Sequence, residues 1–284
     1  MFPMPIQSWG RVPRTLYRVA LPLSLLVWLL PLFAIALTSA RSLDDLSRGN
    51  YWGWPTDIRI LQNYTAVFTQ SPMGRYLLNS IVITLPAVLG TLALSTMAGF
   101  ALARYPFRGN VALFAVFVAG NFVPFQVLMI PVRDLMIHVV PLYDTVWALI
   151  LFHIAFQTGF CTLFMRNFIR ELPDALVEAA RIEGVGELKI FWHVILPLVR
   201  PALAALAVLE FTFIWNDYFW ALVLVQSDSA RPVTAGLQAL AGMWLASWQL
   251  MSAGALVAAA PSVVIFFVMQ RHFIAGLTLG AVKG

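Results

Sequence analysis

Charge is what this sequence most lacks. Of its 284 residues only 11% are Asp, Glu, Lys or Arg, while 61% are hydrophobic. A soluble globule carries charge on about a quarter of its residues, so the solvent for most of this chain is lipid. Cysteine is nearly absent as well. Cys161 stands alone inside an apolar run, which excludes an intrachain disulfide and a Cys-based metal cluster; it reads as a small packing or lipid-facing residue. The histidines, His138, His153, His193 and His272, are far apart and show no HExxH or similar ligand spacing. No GxxxxGK[ST] phosphate loop occurs, so the chain cannot hydrolyse ATP alone. The 18 Lys and Arg against 13 Asp and Glu are scattered singly between apolar runs, which excludes a nucleic-acid-binding stripe.

What is present is apolar length. A helix needs about 20 apolar residues to cross the hydrocarbon core, and five stretches free of charge qualify: residues 19–40, 76–103, 109–132, 145–165 and 232–270. The last carries Gly236, Gly242, Trp244 and Trp248 in its first half, so its span is placed at 250–270. Residues 201–225 are equally apolar but hold Glu210 and Asp217, each costing roughly 2.5 to 3.5 kcal/mol at mid-membrane. They form a sixth span if both acids face a bundle interior or a water-filled path. The first run follows Arg11, Arg14 and Arg18 and precedes Thr38-Ser39-Ala40, like a secretory signal, yet it exceeds the roughly 7 to 15 apolar residues of a signal core and reads as an anchor.

Six spans put both termini on one side. With the termini inside, twelve of the 18 basic residues are cytoplasmic and six (Arg41, Arg48, Arg59, Arg75, Arg133, Arg231) are outside, so both termini are assigned to the cytoplasm. The expected organisation is a cytoplasmic segment 1–18, an all-α transmembrane domain 19–275 with an inward loop 166–200, and a cytoplasmic tail 276–284.

That loop reads as two short helices. Pro173 suits a first helical turn, Asp174 complements the helix dipole, and Gly184 is placed to end the helix in a left-handed conformation. A second helix begins near Gly186 and runs until Pro197 interrupts it. Ala179 and Ala180 leave a low face that another backbone can approach. Glu178 and Arg181, three apart, are placed to pair with each other.

The spacing Glu178-Ala179-Ala180, Gly184, then Val194-Ile195-Leu196-Pro197 resembles the EAA loop of binding-protein-dependent ABC importer permeases, with Val194 where that pattern has isoleucine. Asn63-Tyr64, Asn79-Ser80, Ala101 to Arg104 with Phe107-Arg108-Gly109, Trp215-Asn216-Asp217 and the tail Gly276 to Gly284 are similar to the MalG-like carbohydrate branch, over roughly residues 60 to 284. The resemblance implies a six-helix ABC importer transmembrane domain in a prokaryotic plasma (inner) membrane, with no catalytic residues and no cofactor of its own. ATP and Mg would sit on a partner ATPase dimer. A second homologous permease, an extracytoplasmic sugar-binding protein and a carbohydrate substrate complete the implied assembly. In it Glu178, Ala179, Ala180, Gly184 and Pro197 form a coupling element on the ATPase. The tail Gly280, Ala281, Val282, Lys283 and Gly284 would reach between the ATPase subunits.

Intramembrane polar residues mark candidate pathways: Asn79, Asn121, Glu210, Trp215, Asn216 and Asp217. Each also has a structural reading. Asn79 and Ser80 are placed to bridge neighbouring helices, and the aromatic run 215–220 suits either a sugar or an interfacial belt. Two other classes stay open on residues alone. A proton-coupled carrier would use Glu210 and Asp217 as a relay but leaves the loop spacing unexplained. An intramembrane enzyme would need a nucleophile and base that are not visible.

Overall fold

The computed structural model describes residues 10–243 and 247–279, with side chains at all of these except Arg11, Met243 and 271–279. The expected tail contact at 280–284 and Trp244 lie outside the described residues. The fold has two compact units, one within residues 1–71 and 240–257, the other within 72–239 and 258–284.

In the first unit, α1 (Arg11–Ser39) is apolar on every face and exposes Leu26 and Trp28, as a helix surrounded by lipid must. Two short helices follow, α2 (Leu43–Ser47) and α3 (Ile60–Thr69). The chain between them folds over Arg41, which is fully buried and donates to the carbonyls of Tyr51 and Gly53. Asn63 on α3 donates to the carbonyls of Ser39 and Arg41 at 2.9 and 2.8 Å, pinning the end of α1. A single bridge, Arg41 to Ile58, is the only β pairing among the described residues.

The second unit is built on α4 (Met73–Arg104). Next comes α5 (Asn110–Gly120), entered through Gly109 at φ +90°. A 3₁₀ turn (Phe125–Leu128), α6 (Met129–Asp134) and a π turn (Leu135–Val139) follow. The straight span expected at 109–132 is instead bent by 92° between α5 and 125–139. Pro124 is one physical reason: it fixes its own φ and lacks the N–H an unbroken helix needs.

α7 (Val146–Arg170) packs along α4. At Gly99 the two backbones come close: a Cβ there would lie 2.9 Å from the Arg166 nitrogen and 2.9 Å from Met165 Cβ. Small residues at such crossings let apolar helices approach closely.

The connection after α7 holds α8 (Asp174–Ile182), then α9 (Glu187–Ile190), a π turn (Phe191–Ile195) and α10 (Leu196–Trp215). The last three run on as one long apolar helix, Glu187 to Trp215. This corrects two expectations. Pro197 does not interrupt a second short helix, and the span expected at 201–225, fifth in chain order, occupies 187–215 instead. The reason lies in the π turn: Leu196 N–H donates to the Phe191 carbonyl, five residues back, so the turn widens just where Pro197 would otherwise clash.

α11 (Phe219–Leu224), α12 (Val233–Met243) and α13 (Trp248–Leu279) complete the chain. Among the described residues five helices are long and apolar enough to cross a membrane, and the bent pair makes up to six.

Candidate functional site

α8 stands off the ends of the spans as a short, stiff knob. Pro173 precedes it as the capping residue rather than sitting in its first turn, and Asp174 and Arg181 carry the charge signs that suit its two ends. At its C-terminus Val185 N–H donates to the Ala180 carbonyl and Gly184 N–H to that of Arg181, both at 3.0 Å. This double bond pattern needs a left-handed residue, and Gly184 supplies it at φ +77°.

The inward side of the knob is rooted in packing. Val177 is buried in a cluster with Phe100, Met165, Ile169, Ile190 and Phe191, and Ala180 and Val185 pack against it. Burying a valine is worth roughly 1.5 kcal/mol or more. The opposite side is open: Glu178 and Ala179 are exposed, flanked by Ile182 at 87% and Leu188 at 72% exposure.

Two ionic clamps hold the root. Arg104, the last residue of α4, donates at 2.7 Å to the carbonyls of Ile169 and Leu172 at the end of α7, the first of which also accepts from Leu172 N–H, and pairs with Asp174 at the start of α8. Its side chain is only 5% exposed. Arg181 does not pair with Glu178 as its spacing suggested. It turns to Glu187 at 2.8 Å and lies over the Tyr105 ring, whose hydroxyl also donates to Glu187. The Glu187 carboxylate thereby raises the Arg181 guanidinium above its ordinary value, while burial and then Glu187 raise the Tyr105 phenol. One guanidinium thus joins α4, α7 and α8, and the other joins α8 to the helix 187–215. Neither clamp was read from the sequence, because an arginine closing an apolar run is also the ordinary snorkelling pattern. Pro197 lies on the helix 187–215 and not on the knob.

The polar residues of the spans are mostly consumed by structure. Asn79 donates to the carbonyls of Ser229 and Arg231 at 3.1 and 2.9 Å, and Ser80 accepts from Val233 N–H, so both clasp the segment 229–233 rather than bridge two spans. Trp215 is buried, stacks on Phe211 and donates to the Ala258 carbonyl at 3.0 Å. Asn216 folds back onto the Thr212 carbonyl, and Asn121 onto that of Phe117. Asp217 caps α11 by accepting from the amides of Trp220 and Ala221 at 3.3 and 3.1 Å, with His153 Nε2 3.6 Å away. Glu210 is fully buried; it accepts from the Cys161 thiol at 3.1 Å, which makes that cysteine a packing residue with a partner.

A cleft of about 350 Å³ opens nearby, lined by Arg133, Asp134, Tyr143, Phe219 and Gln226 among apolar side chains. It is invisible to the span pattern, because the bend after Pro124 brings 129–134 to the end of α11.

Long apolar helices with a short helical knob outside their spans define a multi-spanning membrane protein. The comparisons give the family. Residues 95–278 match the model of the binding-protein-dependent transport system inner membrane component, and the chain belongs to that family. It is 34% identical to the osmoprotective compounds uptake permease protein GgtD of Synechocystis sp., over 98% of this chain and 94% of that one. It is 33% identical to the arabinooligosaccharides transport system permease protein AraQ of Halalkalibacterium halodurans, over 99% and 98%. The fold is that of a crystallised bacterial ABC transporter involved in alginate import, with a TM-score of 0.81 at 24% identity, covering 93% of this chain and 99% of that one. The chain is therefore a membrane-embedded permease that works with a binding protein and a separate ATPase, and is not itself an enzyme.

Proposed function

We propose that this permease serves an ATP-driven carbohydrate importer, pairing with a second homologous permease and docking α8 on an ATPase dimer. The observation that carries the coupling role is the geometry of α8: an open face with Glu178 at its centre, and a root clamped to three helices. The end-to-end similarity to the arabinooligosaccharide permease supports the substrate class. Both termini and α8 lie in the cytoplasm in this reading, which rests on the distribution of basic residues. ATP and Mg are bound by the ATPase, and this chain holds no cofactor. Residues 280–284 supply a second ATPase contact. Closure of the ATPase dimer pushes the knob, the clamps pass the motion to α4, α7 and the helix 187–215, and the path reopens outward for sugar from the binding protein. The cleft at Arg133, Tyr143 and Phe219 joins an aromatic face to hydrogen-bonding groups, as sugar recognition requires.

The test places a cysteine at Ala179 in a Cys161→Ser background and adds an oxidant to membranes holding the whole transporter. Cross-linking to a cysteine on the ATPase, and ATP-dependent uptake of an oligosaccharide, are expected. Labelling of Ala179→Cys from the outer face of intact cells would overturn the orientation, and uptake that survives loss of the ATPase would overturn the coupling role.

A further inference from the structure

A basic pocket of about 740 Å³ lies where α4 and α7 end and α5 begins, and no residue of α8 lines it. Arg104, Arg108, Arg166 and Arg170 line it, and no Asp or Glu does. Among the described residues only Arg104 has a carboxylate partner, Asp174. Arg166 is 9% exposed, its guanidinium lies 3.8 Å from the centre of the Phe114 ring, and its Nε has no hydrogen-bond partner among the described residues. The buried Nε of Arg104 likewise has none. Arg166 and Arg170 are four apart on α7 and repel one another. A buried donor without an acceptor and a set of unneutralised like charges are both costly, and an anion relieves both at once. The N-terminus of α5, at Asn110 and Val111, faces the same pocket and adds its dipole.

We infer that this pocket binds an anionic phosphate group, that of a phospholipid head. The lipid source is favoured by position and by what borders the arginines. Three apolar helices end at this level, where head groups lie, and Phe107 and Val111 beside the pocket are 43% and 73% exposed, an apolar track for an acyl chain. The inference does not depend on which side of the membrane is inside.

The full-length chain in detergent is incubated with phosphatidylglycerol or phosphatidylcholine, and retained lipid is counted by native mass spectrometry. The wild type keeps phosphatidylglycerol under activation that strips phosphatidylcholine. Arg108→Gln with Arg170→Gln, both exposed and without hydrogen-bond or ion-pair partners among the described residues, weakens retention on the order of twentyfold, and Arg166→Gln adds to the loss. Arg48→Gln, on the other unit, changes nothing. Retention of phosphatidylglycerol survives a molar excess of inorganic phosphate. Equal retention of the two lipids, or unchanged retention in the double variant, overturns the inference. Inorganic phosphate binding, read by ³¹P line broadening, that displaces the lipid moves the site to soluble phosphate and overturns the lipid assignment. Loss of ATPase co-purification in the double variant with lipid retention intact makes the pocket a protein contact and also overturns it.

Discussion

The long helix from Glu187 to Trp215 treats polar groups in opposite ways at its two ends. Near Glu187 the clamps gather every charge needed to root α8 and leave Glu178 outward, with no ion-pair partner among the described residues. Near Trp215 the polar groups of Trp215, Asn216 and Asp217 are spent on backbone atoms close by. An acid left without an ion pair at the surface can serve recognition, as proposed for Glu178, whereas one already bonded to amides serves shape. The residue types are alike, and only the surroundings separate them.

The largest expected effect breaks the first end. Glu178→Lys leaves insertion and folding intact but lowers transport roughly ten- to a hundredfold, the scale of a coupling free energy. Uptake and ATPase co-purification in matched membranes measure it, and normal values of both would remove Glu178 from the coupling face. Gly184→Asp belongs beside it. Its Cβ meets nothing within 4 Å, so the strain is that of φ +77° alone, about 1 kcal/mol, and aspartate tolerates that region better than most residues. Lost transport with a nearly unchanged melting temperature is the expected signature.

Arg104→Ala comes next. It strands the Leu172 carbonyl, takes a second donor from that of Ile169 and unpairs Asp174, and costs about 2 kcal/mol, visible as a lower Tm and faster hydrogen exchange through 169–176. Unchanged exchange there would dissolve the clamp.

At the other end the changes are smaller. Asp217→Ala removes a helix cap, about 1 kcal/mol, whereas Asp217→Asn keeps it, since asparagine caps as well as aspartate. Uptake in Asp217→Asn within twofold of wild type supports a structural role; a changed sugar KM with unchanged Tm would restore it to the path. The smallest effect is at Asp144. Burial alone would raise its carboxyl, but the amides of Ser227 and Gln226 and the Ser227 hydroxyl outweigh this and hold it below the ordinary value. A depressed folded-state value contributes stability above about pH 4 that is lost as pH falls through it. Amide exchange at Gln226 and Ser227 accelerates on acidification below that point, and a flat profile would remove Asp144 as the anchor.

The knob was readable from residues 178 to 184 because its features are local: alanine spacing and a glycine at a helix end. The lipid solvent and the long helices were readable from charge alone. The frame of the fifth span was not, since counting began after Arg200, and Glu187, Lys189 and Arg200 sit on the helix without ending it. The bend after Gly120 was missed for the same reason: Pro124 carries no charge. Polar residues at 79 and 215–217 looked like a pathway because sequence shows a polar side chain but hides the carbonyl or amide it serves.

Gly99 has a mechanical consequence. With no room for even a methyl group between α4 and the Met165–Arg166 step of α7, the two helices mesh like teeth of a ratchet. Neither slides lengthwise without lifting off the other. Under the proposed coupling, a push on the knob would tilt the pair as one lever, with the part of α4 before residue 99 as its long arm.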